Sequence, residues 1–91
     1  MLIKQKRINV FGFVQGVGYR FNAQKKAQQL GLTGWVKNKP DQSVVIVIQG
    51  QEEKIKKFIN WSKKGPQNSQ VNKVKVKDEP LQEIFNNFFI K

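Results

Sequence analysis

Hydrophobic periodicity changes several times along the chain, and the order of those changes constrains the fold more than any other feature. Residues 3–11 alternate in part and predict a strand. Arg20–Leu30 repeats small apolar residues at helical spacing and predicts an amphipathic helix. Thr33–Lys39 and Ser43–Gln49 are strand-like, and the turn-forming residues between them predict a hairpin.

The second half of the chain adds a helix and a strand. Glu52–Lys64 has its apolar residues on one face and ends at Gly65-Pro66, which predicts a helix. Val71–Lys77 alternates valine with polar residues, which is typical of a strand with one buried face. The order β-α-β-β-α-β predicts an α+β, ferredoxin-like sandwich with an antiparallel sheet and two helices on one face. Phe85–Ile90 is apolar enough to add a short C-terminal fifth strand.

The residue types that are missing exclude several kinds of chemistry. The 91 residues contain no Cys and no His, which excludes disulfides, thiolate nucleophiles, imidazole bases and Cys or His metal ligands. Any chemistry must therefore use Arg, Lys, Asn, Gln, Ser, Thr, Tyr, the six carboxylates or main-chain amides. At this length we expect residues 1–91 to form one domain.

Charge narrows the class of partner. There are 17 Lys and Arg residues against 6 Asp and Glu, and the net charge of +11 favours phosphates, nucleic acid or another anionic partner. Charge alone also fits a solvated basic surface. The longest apolar run, Val44–Ile48, is far shorter than the roughly 18 residues of a membrane span. No signal-peptide pattern begins the sequence, so we expect a cytoplasmic protein without membrane contact.

The segment from Gly12 to Arg20 is the best candidate for a binding site. It carries three glycines between a predicted strand and a predicted helix, where main-chain N–H groups can converge on a phosphate. A guanidinium at Arg20 can grip two phosphate oxygens at once. The segment lacks the Gly-Lys-Ser/Thr of a Walker loop. A tight turn with Arg20 in a surface ion pair is the structural alternative.

The same segment resembles the signature of a known family. Gly12–Arg20 is similar to the acylphosphatase pattern G-x-V-Q-G-V-x-[FY]-R. Gly34–Asn38 is similar to the family's second pattern, G-W-V-x-N, and Gly65-Pro66 matches a Gly-Pro after the second helix. Two separate motifs at the family's spacing, in a chain of the family's length and element order, make the resemblance specific.

The resemblance implies an activity and a set of roles. It implies hydrolysis of the carboxyl–phosphate bond of acyl phosphates, without metal or covalent intermediate. Arg20 is similar to the arginine that holds the substrate phosphate, and Asn38 to the asparagine that positions the attacking water. The main-chain amides of the phosphate cradle correspond to Gln15, Gly16, Val17, Gly18, Tyr19 and Arg20. The implied partners are small-molecule acyl phosphates and inorganic phosphate, bound by a monomer.

The composition is compatible with this reaction. A departing carboxylate has a conjugate acid with a pKa of about 4, by analogy with Asp and Glu, so it needs no general acid. Phosphoryl transfer through a loose transition state depends mainly on positioning and charge stabilisation. N–H donors and one arginine supply both, and a chain without His suffices.

Two positions carry alternatives. Asn38 is also a residue type that begins turns, and Pro40-Asp41 follow it closely. In the hairpin turn, Gln42 stands where the family usually has a small residue such as glycine. A glutamine there is unfavourable if the position requires a positive φ. Gly34, Trp35 and Tyr19 are expected to serve packing rather than chemistry.

Two rival functions remain open from the sequence. Phe11–Val14 resembles the aromatic core of an RNA-recognition motif, a module with the same element order. In this chain, however, the predicted third strand, Ser43–Gln49, lacks an aromatic residue to stack a base. We therefore expect no specific nucleic-acid partner and only weak, salt-sensitive association. The other rival is a regulatory domain that binds phosphate groups without turnover. The presence of both Arg20 and Asn38 favours an enzyme.

Overall fold

The computed structural model describes residues 2–91, and within them the chain forms two helices and five strands. The elements in chain order are β1 (Lys4–Phe13), α1 (Tyr19–Gln29), β2 (Thr33–Asn38), β3 (Val44–Gly50), α2 (Glu52–Lys64), β4 (Gln70–Glu79) and β5 (Phe88–Ile90). The predicted α+β order is therefore confirmed, and β5 is the short final strand.

The five strands form one sheet in the order β4-β1-β3-β2-β5. The pairs β4–β1, β1–β3 and β3–β2 are antiparallel, as predicted. β5 instead runs parallel to β2, with Gly34 opposite Phe88 and Val36 opposite Ile90. The sheet is therefore mixed. Periodicity cannot indicate the direction of a three-residue strand, because direction depends on how the preceding segment crosses the sheet.

β1 extends further than the sequence pattern predicted. Gly12 and Phe13 were expected to belong to the glycine-rich segment after the strand, but they continue β1 and pair with β4. A bulge between Phe11 and Gly12 makes this possible. Gly12 has a φ of 134°, and a Cβ there would collide with the main-chain oxygen of Gln70. The loop therefore begins only at Val14.

The core lies between the sheet and the two helices. Alternate residues of the central strands β1 and β3 point toward the helices and are fully buried, among them Ile8, Val10, Ile46 and Ile48. Each such aliphatic side chain contributes roughly 1.5–3 kcal/mol by leaving water. The helices meet this face through Ala23, Ala27, Ile55 and Phe58. This packing fixes against the sheet the start of α1, where the candidate site residue Arg20 lies.

The second helix spans Glu52–Lys64, as predicted. Glu52 and Glu53 occupy its first turn and Lys63 and Lys64 its last, which complements the helix dipole. The helices have 11 and 13 residues, and no helix within residues 2–91 is long and apolar enough to cross a membrane.

Candidate active site

The loop between β1 and α1 forms a concave main-chain surface at the start of a helix. Gly16 and Gly18 have φ values of 77° and 80°, in the left-handed region that side chains disfavour. Gly18 is the N-cap of α1 and offers no side chain to bond the first-turn N–H groups. Unsatisfied N–H groups at a helix N-terminus bind anions well.

Residues from three elements meet at a cavity of about 190 Å³ beside this loop. Arg20 reaches it from the first turn of α1, and Asn38 from the end of β2. The structure thus brings together two polar residues that are 18 positions apart. The full lining consists of Val14, Gly16, Gly18, Tyr19, Arg20, Phe21, Asn38 and Ile90.

Arg20 is held by Lys91, the last of the 91 residues. Its Nη1 donates a hydrogen bond of 3.0 Å to the main-chain oxygen of Lys91. The ion pairs that Asp and Glu side chains form within residues 2–91 are Lys6–Asp78 and Arg7–Glu79, so no such side chain in this part of the chain pairs with Arg20. A guanidinium carries five N–H donors, and the contact to Lys91 leaves donors available for an anion.

Asn38 ends β2 and lies outside the turn. The turn spans Lys39–Gln42, closed by a 3.1 Å hydrogen bond from Gln42 N to Lys39 O, so Asn38 is not its first residue. Within residues 2–91, the Oδ1 of Asn38 is the buried side-chain polar atom that lacks a hydrogen-bond partner. An unpaired buried acceptor costs roughly 1–3 kcal/mol, and such an atom in a residue that lines a cavity is typical of a functional site.

Two residues of the predicted cradle do not line the cavity. Val17 packs its side chain against the hydrophobic core. Gln15 donates from Nε2 to the carbonyls of Lys39 and Ser43, at 2.8 and 2.9 Å. These two bonds tie the glycine-rich loop to the two ends of the turn between β2 and β3, next to Asn38. The sequence contains no signal for this side-chain role, because the partners lie 24 and 28 residues away.

Tyr19 anchors the loop from below. Its ring is buried, and its hydroxyl donates a 2.9 Å hydrogen bond to the main-chain oxygen of Ser62 near the end of α2. Burial raises the pKa of this phenol well above its usual range. The neutral hydroxyl is therefore engaged away from the cavity, which supports the packing role expected from the sequence.

A larger cavity, of about 400 Å³, lies elsewhere on the sheet and is a poorer candidate for phosphate. Its lining includes Arg7, but this arginine is paired with Glu79. Asp78 and Glu83 also line it, and their charges repel an anion. Within residues 2–91 there is no cluster of three or more Asp, Glu, His or Cys side chains that would suit a metal ion.

The fold is that of a small α+β domain, and the smaller cavity combines an arginine, an asparagine and a glycine-rich loop at a helix N-terminus. The sequence pattern of the acylphosphatase family matches residues 6–90. An acylphosphatase from Acaryochloris marina is 47% identical over 75 residues, which are 82% of this chain and 81% of that protein. The crystal structure of an acylphosphatase from Bacillus subtilis matches with a TM-score of 0.93 and 37% identity, covering 99% of both chains.

The same domain also matches part of a larger protein. The crystal structure of HypF from T. kodakarensis matches with a TM-score of 0.85 and 36% identity, covering 97% of this chain but only 12% of that one. From the family pattern and these relatives, the chain belongs to the acylphosphatase family.

Proposed function

We propose how this protein hydrolyses acyl phosphates. The phosphoryl group of the substrate sits against the loop at residues 15–20, where main-chain N–H groups and the Arg20 guanidinium bind its oxygens. Asn38 accepts a hydrogen bond from a water molecule and holds it in line with the bond that breaks. The observation that carries this proposal is the convergence of Arg20 and Asn38, whose Oδ1 is buried and unpaired, on one cavity.

In the proposed reaction the water oxygen attacks phosphorus, and the bond between phosphorus and the carboxyl oxygen breaks. The carboxylate leaves with the bonding electron pair. Because an amide is far too weak a base to take the proton from water, that proton passes to an oxygen of the phosphoryl group. The products are a carboxylate and inorganic phosphate. Arg20 and the loop amides stabilise charge on the transferring group throughout.

Steady-state hydrolysis of benzoyl phosphate in EDTA tests both roles. We expect Arg20→Gln to lower kcat/KM about 10³-fold or more, because the developing charge loses its strongest partner. Arg20→Lys should recover little, since an ammonium lacks the bidentate fork. Asn38→Ala should lower kcat about 10²-fold or more, because the water is no longer oriented.

The chain offers matched controls for each variant. Arg7→Lys changes the other arginine, which is paired with Glu79 beside the larger cavity. Asn72→Ala changes an exposed asparagine on β4. Both should retain near wild-type kcat/KM. Circular dichroism verifies that every variant folds. A folded Arg20→Gln or Asn38→Ala protein with more than half of the wild-type activity would refute the role of that residue.

We further propose that residues 1–91 act as one domain and as a cytoplasmic monomer, without a cofactor or a specific nucleic-acid partner. The proposed site needs no second chain, since all its groups come from one. A turnover-free phosphate binder is the competing function, and HypF shows that such a domain also occurs within a larger protein. Size-exclusion chromatography with light scattering tests the monomer, and wild-type turnover of benzoyl phosphate separates the enzyme from the binder.

A further inference from the structure

Two large apolar side chains line the candidate active site yet remain open to solvent. Phe21 is 58% exposed and Ile90 is 40% exposed. Both belong to the same cavity as Arg20 and Asn38. The phosphate chemistry proposed above uses neither of them. Apolar side chains grouped beside convergent polar groups are typical of a ligand site.

Each of them is next in sequence to Arg20 or to the hydrogen-bond partner of Arg20. Phe21 follows Arg20 directly in the first turn of α1. Ile90 ends β5, and the next residue, Lys91, supplies the oxygen that holds Arg20. Ile90 is also opposite Val36 on β2, two positions before Asn38. The polar cradle and the two apolar side chains are therefore neighbouring parts of one surface.

The size of the cavity shows which part of a substrate these side chains meet. A volume of about 190 Å³ is several times the roughly 30 Å³ that one water molecule occupies in the liquid, so it exceeds what a phosphoryl group alone fills. The acyl group next to the phosphoryl group therefore lies in the same cavity or at its opening. The apolar side chains of the lining that remain exposed are those of Phe21 and Ile90.

The ring of Phe21 also lies beside a cation. Lys25 lies one helical turn later, and its Nζ is 5.6 Å from the centre of the ring. A cation–π contact at an exposed site favours such an arrangement by about 0.5–1 kcal/mol. To that extent the ring loses less side-chain entropy when a ligand packs against it.

We propose that Phe21 and Ile90 form a subsite for the acyl group of the substrate. The protein then prefers acyl phosphates with an apolar, especially aromatic, acyl group over those with a small or polar one. This inference rests on the proposed function, because the subsite has meaning only if the phosphoryl group binds at residues 15–20.

The test compares kcat/KM for benzoyl phosphate and acetyl phosphate in the wild type, Phe21→Ala and Ile90→Ala. We expect Phe21→Ala to lower the value for benzoyl phosphate about 5- to 20-fold and the value for acetyl phosphate less than about twofold. Ile90→Ala should act in the same direction with a smaller effect, and Phe21→Leu should lie between the wild type and Phe21→Ala. Comparing the ratio among variants cancels the different intrinsic reactivities of the two compounds.

Two matched controls separate the subsite from a general loss of apolar surface. Phe13 is 63% exposed and Ile84 is 66% exposed, and neither lines the cavity. Phe13→Ala and Ile84→Ala should leave the benzoyl-to-acetyl ratio unchanged. Inhibition gives a second readout without turnover: Phe21→Ala should weaken phenylphosphonate several-fold but leave the inhibition constant of inorganic phosphate unchanged.

The outcomes distinguish failure of this inference from failure of the proposed function. A folded wild type that hydrolyses neither compound overturns the function, and the subsite with it. If both compounds are hydrolysed and the ratio is the same in Phe21→Ala, or both values fall equally, the subsite alone is refuted. An equal weakening of phosphate and phenylphosphonate also refutes it, because Phe21 would then act on the phosphate cradle.

Discussion

At the scale of single residues, the candidate site depends on polar atoms held in place by main-chain contacts. Arg20 is fixed through the oxygen of Lys91, and Gln15 through two carbonyls of the hairpin. Asn38 alone presents a buried acceptor without a partner among residues 2–91. An arrangement that leaves such an atom unpaired lowers stability, which is typical of residues that serve function rather than folding.

This cost predicts that removing the Asn38 side chain does not destabilise the protein. Asn38→Ala should have a free energy of unfolding equal to that of the wild type or higher by about 1 kcal/mol, because a buried unpaired oxygen is lost. Urea denaturation measures this. Asn87→Ala is the control: Asn87 Oδ1 accepts a 2.9 Å bond from Phe88 N, so this variant should lose about 1 kcal/mol. A clear loss of stability in Asn38→Ala would instead indicate a structural role.

The sequence predicted which residues form the candidate site, but not the contacts that hold them in place. Arg20, Asn38 and the glycines were indicated by local motifs, since a motif records residue types at fixed spacing. The side-chain role of Gln15 and the contact between Arg20 and Lys91 join distant parts of the chain. Only the folded hairpin and the parallel strand β5 bring those partners within reach, so no local pattern could reveal them.

At the scale of elements, the β2–β3 hairpin contains a residue in an unfavourable conformation. Gln42 has a φ of 75°, the positive value for which glutamine is poorly suited. Its backbone hydrogen bond to Lys39 closes the turn, and Asp41 Oδ1 accepts a 3.0 Å bond from Ser43 N. The concern raised by the sequence at this position is therefore confirmed, yet the turn still places Asn38 at the cavity.

We expect Gln42→Gly to stabilise the protein by about 0.5–1 kcal/mol. Relief of the left-handed conformation exceeds the entropy that glycine adds to the unfolded chain. Urea denaturation of Gln42→Gly beside Gln67→Gly measures the effect, because Gln67 is exposed without a positive φ and its replacement should stabilise nothing. If both variants lose stability equally, the conformation of Gln42 carries no cost.

The two helices are joined by one buried hydrogen bond, from Tyr19 at the start of α1 to Ser62 near the end of α2. The carbonyl of Ser62 cannot bond four residues onward within the helix, because Pro66 has no N–H. Tyr19 supplies the missing donor. We expect Tyr19→Phe to lower the free energy of unfolding by about 1–2 kcal/mol at pH 8.

The raised pKa of Tyr19 adds a pH dependence. Below pH 10 the phenol is protonated in both states, so its contribution to stability is complete. Above about pH 10 the unfolded chain releases the proton while the folded protein retains it, and stability falls by about 1.4 kcal/mol per pH unit. Urea denaturation from pH 8 to 11 should therefore show the wild type losing its advantage over Tyr19→Phe above pH 10. Deprotonation of lysines affects both proteins and cancels in the difference; a constant gap up to pH 11 would contradict the prediction.

At the scale of the whole molecule, the element order predicted the four-stranded framework and both helices, because each element carries its own periodicity. It did not predict the parallel edge strand β5 or the extension of β1 through its bulge. Both arise from pairing between segments far apart in the chain. For the same reason the sequence did not predict that Ile90 lines the cavity, because Ile90 reaches it through the pairing of β5 with β2.

Part of the net charge of +11 lies on one exposed edge strand, and this predicts how the protein meets polyanions. Lys73, Lys75 and Lys77 are exposed on one face of the edge strand β4, the face that carries Arg7 on β1. We expect weak, sequence-independent binding of single-stranded oligonucleotides at low salt, with log K falling steeply against log salt. Replacing these three lysines by glutamine should reduce that slope by about 2, since each phosphate contact on a single strand contributes about 0.7. Fluorescence anisotropy with two unrelated sequences measures it.

The control for this face is a second triple variant on α2, where Lys56, Lys57 and Lys63 are exposed. It removes the same formal charge from the opposite side of the sheet. If the face of β4 gathers the phosphates, the α2 variant should lower the slope by less than 1, and both variants should keep the benzoyl phosphate activity of the wild type. Equal slopes in the two variants would mean that oligonucleotides respond only to net charge, and that the lysines of β4 serve to keep an exposed edge strand from pairing with other chains.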